Sequence, residues 1–203
     1  MAKRIEGVTE KLLQCAKEEF LTNGYENASL RVIAEKAGYT KGVVYIRYRD
    51  KESLFQALVQ PAADGLHDLL SSILSSFGSM PEKKQQEQVF TFSDDGFPLL
   101  VGYIYDHFDE FRLLLTCAPG TMYQDFLEDL VALDMECTKH FLQEIGSPAL
   151  ASGRITDGFL HVVSSAFYAG VFEIVIHDMP QADAENYIHE LRTFFSNGWK
   201  SYY

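Results

Sequence analysis

The sequence predicts an all-α fold, with a small helix-turn-helix unit at the N-terminus and a larger helical region behind it. Three observations carry that prediction. Apolar residues recur at spacings of three and four along most of the 203 residues. No strand-like alternation persists anywhere. The stretch Ser29–Lys51, SLRVIAEKAGYTKGVVYIRYRDK, reads as two short helices around a tight glycine turn.

The elements follow in order. Leu12, Leu13, Ala16, Phe20 and Leu21 make one stripe, so a first helix is expected over about 9–23, with Thr9 as N-cap and Gly24 as C-cap. Ser29 caps a second helix whose inward face is Leu30, Ile33, Ala34 and Ala37, and Gly38 can take the left-handed conformation that ends it. Thr40 caps a third helix that turns Val44 inward and runs to about Tyr48. Asp50 caps a long fourth helix with a buried stripe from Leu54 to Leu74; Pro61 inside it lacks an N–H for Ala57 and should kink it. Residues 75–97 are rich in Ser, Gly, Pro and Asp and read as a break, with a short helix at about 82–92 inside it. Further helices are expected at about 97–107, 109–117, 121–145, 154–178 and 183–201, punctuated by Gly120, Gly146-Ser147-Pro148 and Met179-Pro180.

Charge divides the chain in the same place. The net charge is −12, yet residues 1–55 carry ten Lys and Arg against eight Asp and Glu, and residues 28–51 carry six against two. A phosphate-binding surface needs such local positive charge, because counterion release supplies most non-specific affinity for nucleic acid. The acidic remainder would repel DNA, so any contact should be confined to the first quarter; the alternative is that the asymmetry is only a solvated surface. Cys15, Cys117 and Cys137 form no CxxC pair or disulfide framework and fit small packing residues in a reducing compartment. No signal-peptide core follows Met1 and no uninterrupted apolar run of eighteen residues occurs, so a soluble, cytoplasmic protein without membrane partners is expected.

The helix-turn-helix is the constellation with specific chemistry. A recognition helix puts its first turn in the major groove, and here that turn is Thr40-Lys41-Gly42-Val43: a hydroxyl, a cation, a gap for close approach and a methyl-bearing surface. Lys41 suits guanine O6 and N7 or a phosphate, and Val43 a thymine methyl. Tyr45 and Arg47 lie further along, placed for the sugar-phosphate backbone, with core packing as the alternative for Tyr45 and Tyr48. Lys51 and Ser29 stand at helix starts, where backbone N–H groups and helix polarity suit phosphate.

These residues resemble the DNA-binding domain of tetracycline-repressor (TetR) family regulators. The resemblance runs over about 9–58 through Phe20-x3-Gly24-Tyr25, then Ser29-Leu-Arg-x-Ile33-Ala34-x2-Ala37-Gly38-x-Thr40-Lys41-Gly42-x2-Tyr45, then Tyr48-x2-Lys51-Glu52-x-Leu54. It implies a DNA-binding domain over 1–52 and a ligand-binding and dimerisation domain over 53–203. It further implies a homodimer on a near-palindromic double-stranded DNA operator, released when a small-molecule effector enters the C-terminal domain. On that pattern Ser29, Thr40, Tyr45 and Lys51 would touch phosphate, while Arg31, Lys41, Gly42 and Val43 would lie near bases. Arg47 stands where the family often has His or Tyr, Tyr48 where Phe is usual, and Tyr39 is bulkier than the common Val.

The C-terminal half carries no comparable motif. Helix 154–178 has a very wide apolar face, and the last helix adds Ile188, Leu191, Phe194, Phe195 and Trp199. Two such helices exceed what one core needs, and the resemblance places a dimer interface there, with Phe159, Ala166, Gly170, Ile174, Phe195 and Trp199 as candidates; a purely intramolecular core is the alternative. Tyr103, His107, Phe111, Tyr123, Phe126, Phe167 and Glu173 are candidates to line a mostly apolar ligand pocket for an apolar or cationic molecule, with ordinary core packing as the alternative for each. Glu173 and His177 lie one turn apart with His161 on the same helix, but two spaced donors do not make a metal site. No cofactor is expected. GxSxG, HExxH, Walker A and Rossmann glycine patterns are absent, and the adjacent Asp106 and His107 diverge on a helix, so no catalytic residues are assigned. The expected function is a ligand-responsive transcriptional regulator, most simply a repressor. The competing class, a helical small-molecule-binding protein without specific DNA activity, would require the basic turn to be accidental.

Overall fold

The computed structural model describes residues 2–89 and 92–202, without side-chain detail for 2–6 and 92–95. Among the described residues there are eleven helices and no strand. The chain forms two compact units: the first ends at Asp64 and takes in His107–Phe126, while the second comprises Gly65–Asp106 and the chain from Leu127 onward.

The first unit holds α1 (Ala2–Asn27), α2 (Leu30–Ala37), α3 (Lys41–Arg47), the first half of α4 (Lys51–Gly78) and α7 (Phe108–Thr116). The expected stripe is its core: Leu12, Ala16, Phe20, Ile33, Ala34, Ala37, Val44, Leu54, Phe55 and Val59 are all buried. Phe20, Tyr25 and Phe55 form an aromatic triangle with ring centroids 5.2–5.9 Å apart. Helix α7 joins this unit through an ion pair of Lys17 with Asp109 at 3.0 Å and a hydrogen bond from Cys117 Sγ to the Phe20 carbonyl at 3.3 Å. Such contacts are invisible to a reading that follows the chain in order.

Several boundaries differ from expectation for identifiable reasons. Helix α1 starts at Ala2, so Thr9 is no N-cap; its hydroxyl instead accepts from Arg47 Nε at 3.2 Å. Gly24, at φ 71° and ψ 168°, does break the helix, but one more turn follows it. Gly38 takes the left-handed conformation at φ 78°, and Asp50 caps α4 by accepting the Ser53 N–H at 2.8 Å. Helix α4 continues through Pro61.

The second unit contains the rest of α4, then α5 (Glu82–Gln88), α6 (Phe92–Asp106), α8 (Phe126–Glu144, entered from the first unit), α9 (Pro148–Ala151), α10 (Asp157–Ile176) and α11 (Gln181–Trp199). The far end of the expected 82–92 helix falls on residues 90–91, outside the described residues. Helix α6 begins five residues before 97, since Gly96 is a packing glycine rather than a breaker: a Cβ there would stand 3.1 Å from Ile73 of α4. Helix α8 begins five residues after 121, because the buried Thr121 hydroxyl donates to the Ala118 carbonyl and accepts the Tyr123 N–H, holding the chain in turns. Ser147-Pro148, taken for punctuation, starts α9: the Ser147 hydroxyl accepts the Leu150 N–H and Pro148 occupies the first turn. Leu142, Ala149, Ile155 and Leu160 close a cluster around that corner. Helix α10 is long and apolar enough to cross a membrane by length and composition, although charged residues interrupt its sequence; 39% of that window is buried within the fold.

Candidate nucleic-acid interface and effector cavity

In the first unit α2 and α3 meet at the Gly38 turn, and the predicted interface residues fall into two groups. Arg31, Thr40, Lys41 and Gly42 are exposed, and Tyr45 is 47% exposed, which takes it out of the core. Ser29, Val43, Arg47 and Lys51 are half-buried. Ser29 and Thr40 occupy N-cap positions with extended backbone, but neither hydroxyl makes a capping hydrogen bond. Arg31 is paired with Glu35 at 2.7 Å, and Lys41 Nζ lies 5.3 Å from the centre of the Tyr45 ring. A Cβ on Gly42 would meet only the Thr40 hydroxyl oxygen, at 3.7 Å, so nothing within the chain demands glycine there.

Two ionic contacts set the geometry of this surface. Lys51 Nζ donates to the carbonyls of Tyr25 at 2.7 Å, Glu26 at 2.9 Å and Ala28 at 3.4 Å, and lies over the Tyr25 ring. An ammonium has three donors, and all three serve the end of α1, whose carbonyls carry partial negative charge. Glu19, buried in α1, accepts from Lys36 Nζ at 2.9 Å and from the Ser29 N–H at 3.4 Å. Burial pushes its carboxyl up, but Lys36 and the Ser29 N–H outweigh burial and hold it below the ordinary range. Glu19 thus fixes the start of α2 to α1. Its place on the stripe of Leu12, Ala16 and Phe20 is the sequence signal that separates it from its exposed neighbour Glu18. Ile46, 82% exposed on α3, is the other unforeseen feature; its only trace in the sequence is that it falls off the buried stripe.

The second unit holds a cavity of about 210 Å³ that opens to the surface. Its wall is built from α4 (Leu70, Ile73, Leu74, Phe77), α6 (Phe97, Leu100), α8 (Asp134, Cys137, Thr138, Phe141), α10 (Val163, Ser164, Phe167, Tyr168) and α11 (Arg192, Phe195, Ser196, Trp199), with Val89. Of the seven residues proposed for a pocket, Phe167 lines it. His107, Phe111, Tyr123 and Phe126 lie in the first unit, where Phe111 and Phe126 pack together in the core. Tyr103 presses its hydroxyl end against the α4 backbone at Gly65, and Glu173 pairs with His177 at 2.7 Å on the partly exposed side of α10. Their periodicity marked them as inward-facing but not toward which interior.

The dimer candidates are likewise placed by contacts within the chain. Phe159 packs on Trp199 and Tyr202, Phe195 on Phe167, and Ile174 is fully buried. Gly170 faces Leu191 of α11, where a Cβ would come within 3.1 Å, and its carbonyl accepts from the Tyr187 hydroxyl. Ala166 is exposed, in company with Val162, Ala169 and Ile176 on α10, and Phe194 on α11 is 75% exposed.

Residues 12–58 match the N-terminal region of bacterial regulatory proteins of the tetR family. Curated relatives include the uncharacterized HTH-type transcriptional regulator YdgC of Bacillus subtilis, 29% identical over 92 residues that cover 42% of this chain and 47% of that protein. Another is the HTH-type transcriptional repressor AcnR of Corynebacterium glutamicum, 32% identical over 62 residues, covering 30% of this chain and 33% of the relative. The chain thus spans less than half the length of these relatives. Among solved structures, the TetR-family regulator SCO3833 of Streptomyces coelicolor A3 superposes with a TM-score of 0.59 at 19% identity, covering 91% of this chain and 88% of that one, a likeness of fold.

Proposed function

We propose that the chain, whose residues 12–58 match the N-terminal region of the tetracycline-repressor (TetR) family of bacterial regulatory proteins, is a ligand-responsive repressor acting in the cytoplasm as a homodimer. The observation that carries this reading is that the family match falls on α1–α4, around the surface of α2 and α3 where Arg31, Thr40, Lys41 and Gly42 are exposed together. Arg31, Lys41, Gly42 and Val43 would meet base edges; Ser29, Thr40, Tyr45 and Arg47 would take phosphate. Lys51 would act chiefly by holding α1 against the start of α2, since its donors are spent on carbonyls. DNA reading would reside in residues 1–52, and effector binding and dimerisation in 53–203.

The effector would enter the cavity of the second unit. Helix α4 supports coupling by its continuity, because Leu54, Phe55 and Val59 belong to the core of the first unit while Leu70, Ile73, Leu74 and Phe77 line the cavity. An effector that favours one arrangement of α4 would alter the spacing of two recognition helices that must fit half-sites about one DNA turn apart. Dimerisation would use Val162, Ala166, Ala169 and Phe194, whose exposure on α10 and α11 is otherwise unfavourable. The relatives compared are transcriptional regulators, and no enzymatic role is proposed.

Selection of bound fragments from a random DNA pool by the purified chain tests this. A shared inverted repeat is expected, bound with a log–log salt slope of several phosphates. Recovery of unenriched DNA, or no retention at low salt, would refute the reading.

A further inference from the structure

We infer that Asp134 is the polar anchor of the cavity and that the cavity takes a small organic cation, an ammonium group carried on an apolar body; this rests on the reading of the cavity as the effector site. Asp134, Thr138 and Phe141 stand on one face of α8 at spacings of four and three, and all three line the cavity. From α10, the Ser164 hydroxyl donates to Asp134 Oδ2 at 2.7 Å, and the Tyr168 hydroxyl bonds the same carboxyl. Ser164 and Tyr168 are both buried. A carboxylate offers about four acceptor positions over its two oxygens, so two hydroxyls leave part of it unfilled. With both hydroxyls directed at Asp134, the cluster turns acceptor surface toward the cavity. Such a surface is complemented by a donor, and a charged donor most strongly.

Burial pushes the Asp134 carboxyl up, and the two hydroxyls pull it down only in part. A carboxylate partly removed from water is costly, and an arriving ammonium supplies an opposite charge beside it, so ligand binding and ionisation of Asp134 reinforce each other. An anionic ligand would bring a second negative charge to the same wall. Phe77, Phe141, Phe167, Phe195 and Trp199 line the cavity, an aromatic wall that suits an apolar body carrying a cation. Arg192 also lines the cavity, with its guanidinium 4.7 Å from the centre of the Phe97 ring. The ammonium belongs at the α8–α10 wall, where Asp134 stands.

Isothermal titration of the full chain with phenethylammonium, phenethyl alcohol and hydrocinnamate tests the assignment. The wild-type chain should bind the ammonium at least about tenfold more tightly than either of the others, the effect of one charged hydrogen bond. Asp134→Asn should erase that preference, with affinity for the ammonium falling at least about tenfold. Tighter binding of hydrocinnamate to wild type, no binding of the ammonium, or a preference that survives in Asp134→Asn would overturn it; the first two comparisons need no variant to fold. Operator release separates the two ideas. If the ammonium binds through Asp134 but leaves DNA bound, the anchor stands and the effector reading fails. If the alcohol or the carboxylate releases DNA while the ammonium does not bind, the effector reading stands and the anchor fails.

Discussion

At the scale of single residues, the surface of α2 and α3 depends on two charges that point inward. Lys51 satisfies three carbonyls at the end of α1, so Lys51→Ala should lower unfolding stability by roughly 2 kcal/mol, the range for hydrogen bonds from a charged donor. Urea unfolding followed by circular dichroism checks this; an unchanged midpoint with weakened DNA binding would assign Lys51 to phosphate instead. Glu19 has a linked consequence in pH. Its folded carboxyl titrates below its ordinary value of 4.5, so its contribution is fully present above that value and is lost as pH falls through the depressed one. Glu19→Gln should therefore lower stability at neutral pH and flatten its decline in the acid window below 4.5. A variant as steep in acid as the wild type would deny Glu19 this role.

At the scale of elements, glycines decide how closely helices approach. A Cβ on Gly65 would run into the Tyr103 hydroxyl and ring, so Gly65→Ala should cost about 1–3 kcal/mol, the usual penalty of overpacking. Tyr103→Phe in the same chain should recover only part of that loss, because the ring carbon Cζ would still be 2.8 Å away. Additive melting temperatures for the pair would contradict the contact. The elements themselves were largely legible: the stripes Leu12–Phe20 and Leu54–Leu70 are core, Gly38 ends α2 and Asp50 starts α4. Local signals misled where one residue type has two uses. Gly96 packs a helix rather than breaking one, Thr121 ties its own turn, and Ser147-Pro148 opens a helix. The cavity was hardly legible, since periodicity shows that Phe111 and Phe126 face inward but not that Asp134 on α8 meets Ser164 and Tyr168 on α10, Ser164 being 30 positions further along the chain.

At the scale of the whole molecule, the unit that carries the helix-turn-helix and the unit that carries the cavity share α4, and each has its own core. The proposed repressor would need two copies, and the apolar residues left outside on α10 and α11 are the surface proposed for the second. Phe194→Glu should convert a dimer to a monomer in sedimentation analysis while leaving the helical content intact; a variant that stays dimeric would move the interface elsewhere. The loss of paired half-sites should then weaken operator binding far more than substitution of one phosphate contact does. The central claim is that the first turn of α3 reads sequence. Parallel selection from random DNA by the wild-type chain and by Lys41→Ala tests it most directly. The wild type should select an inverted repeat, and the variant should show altered base preference at matching positions of both half-sites; the same preferences at uniformly lower affinity, or no enriched sequence for either chain, would contradict sequence reading by this turn.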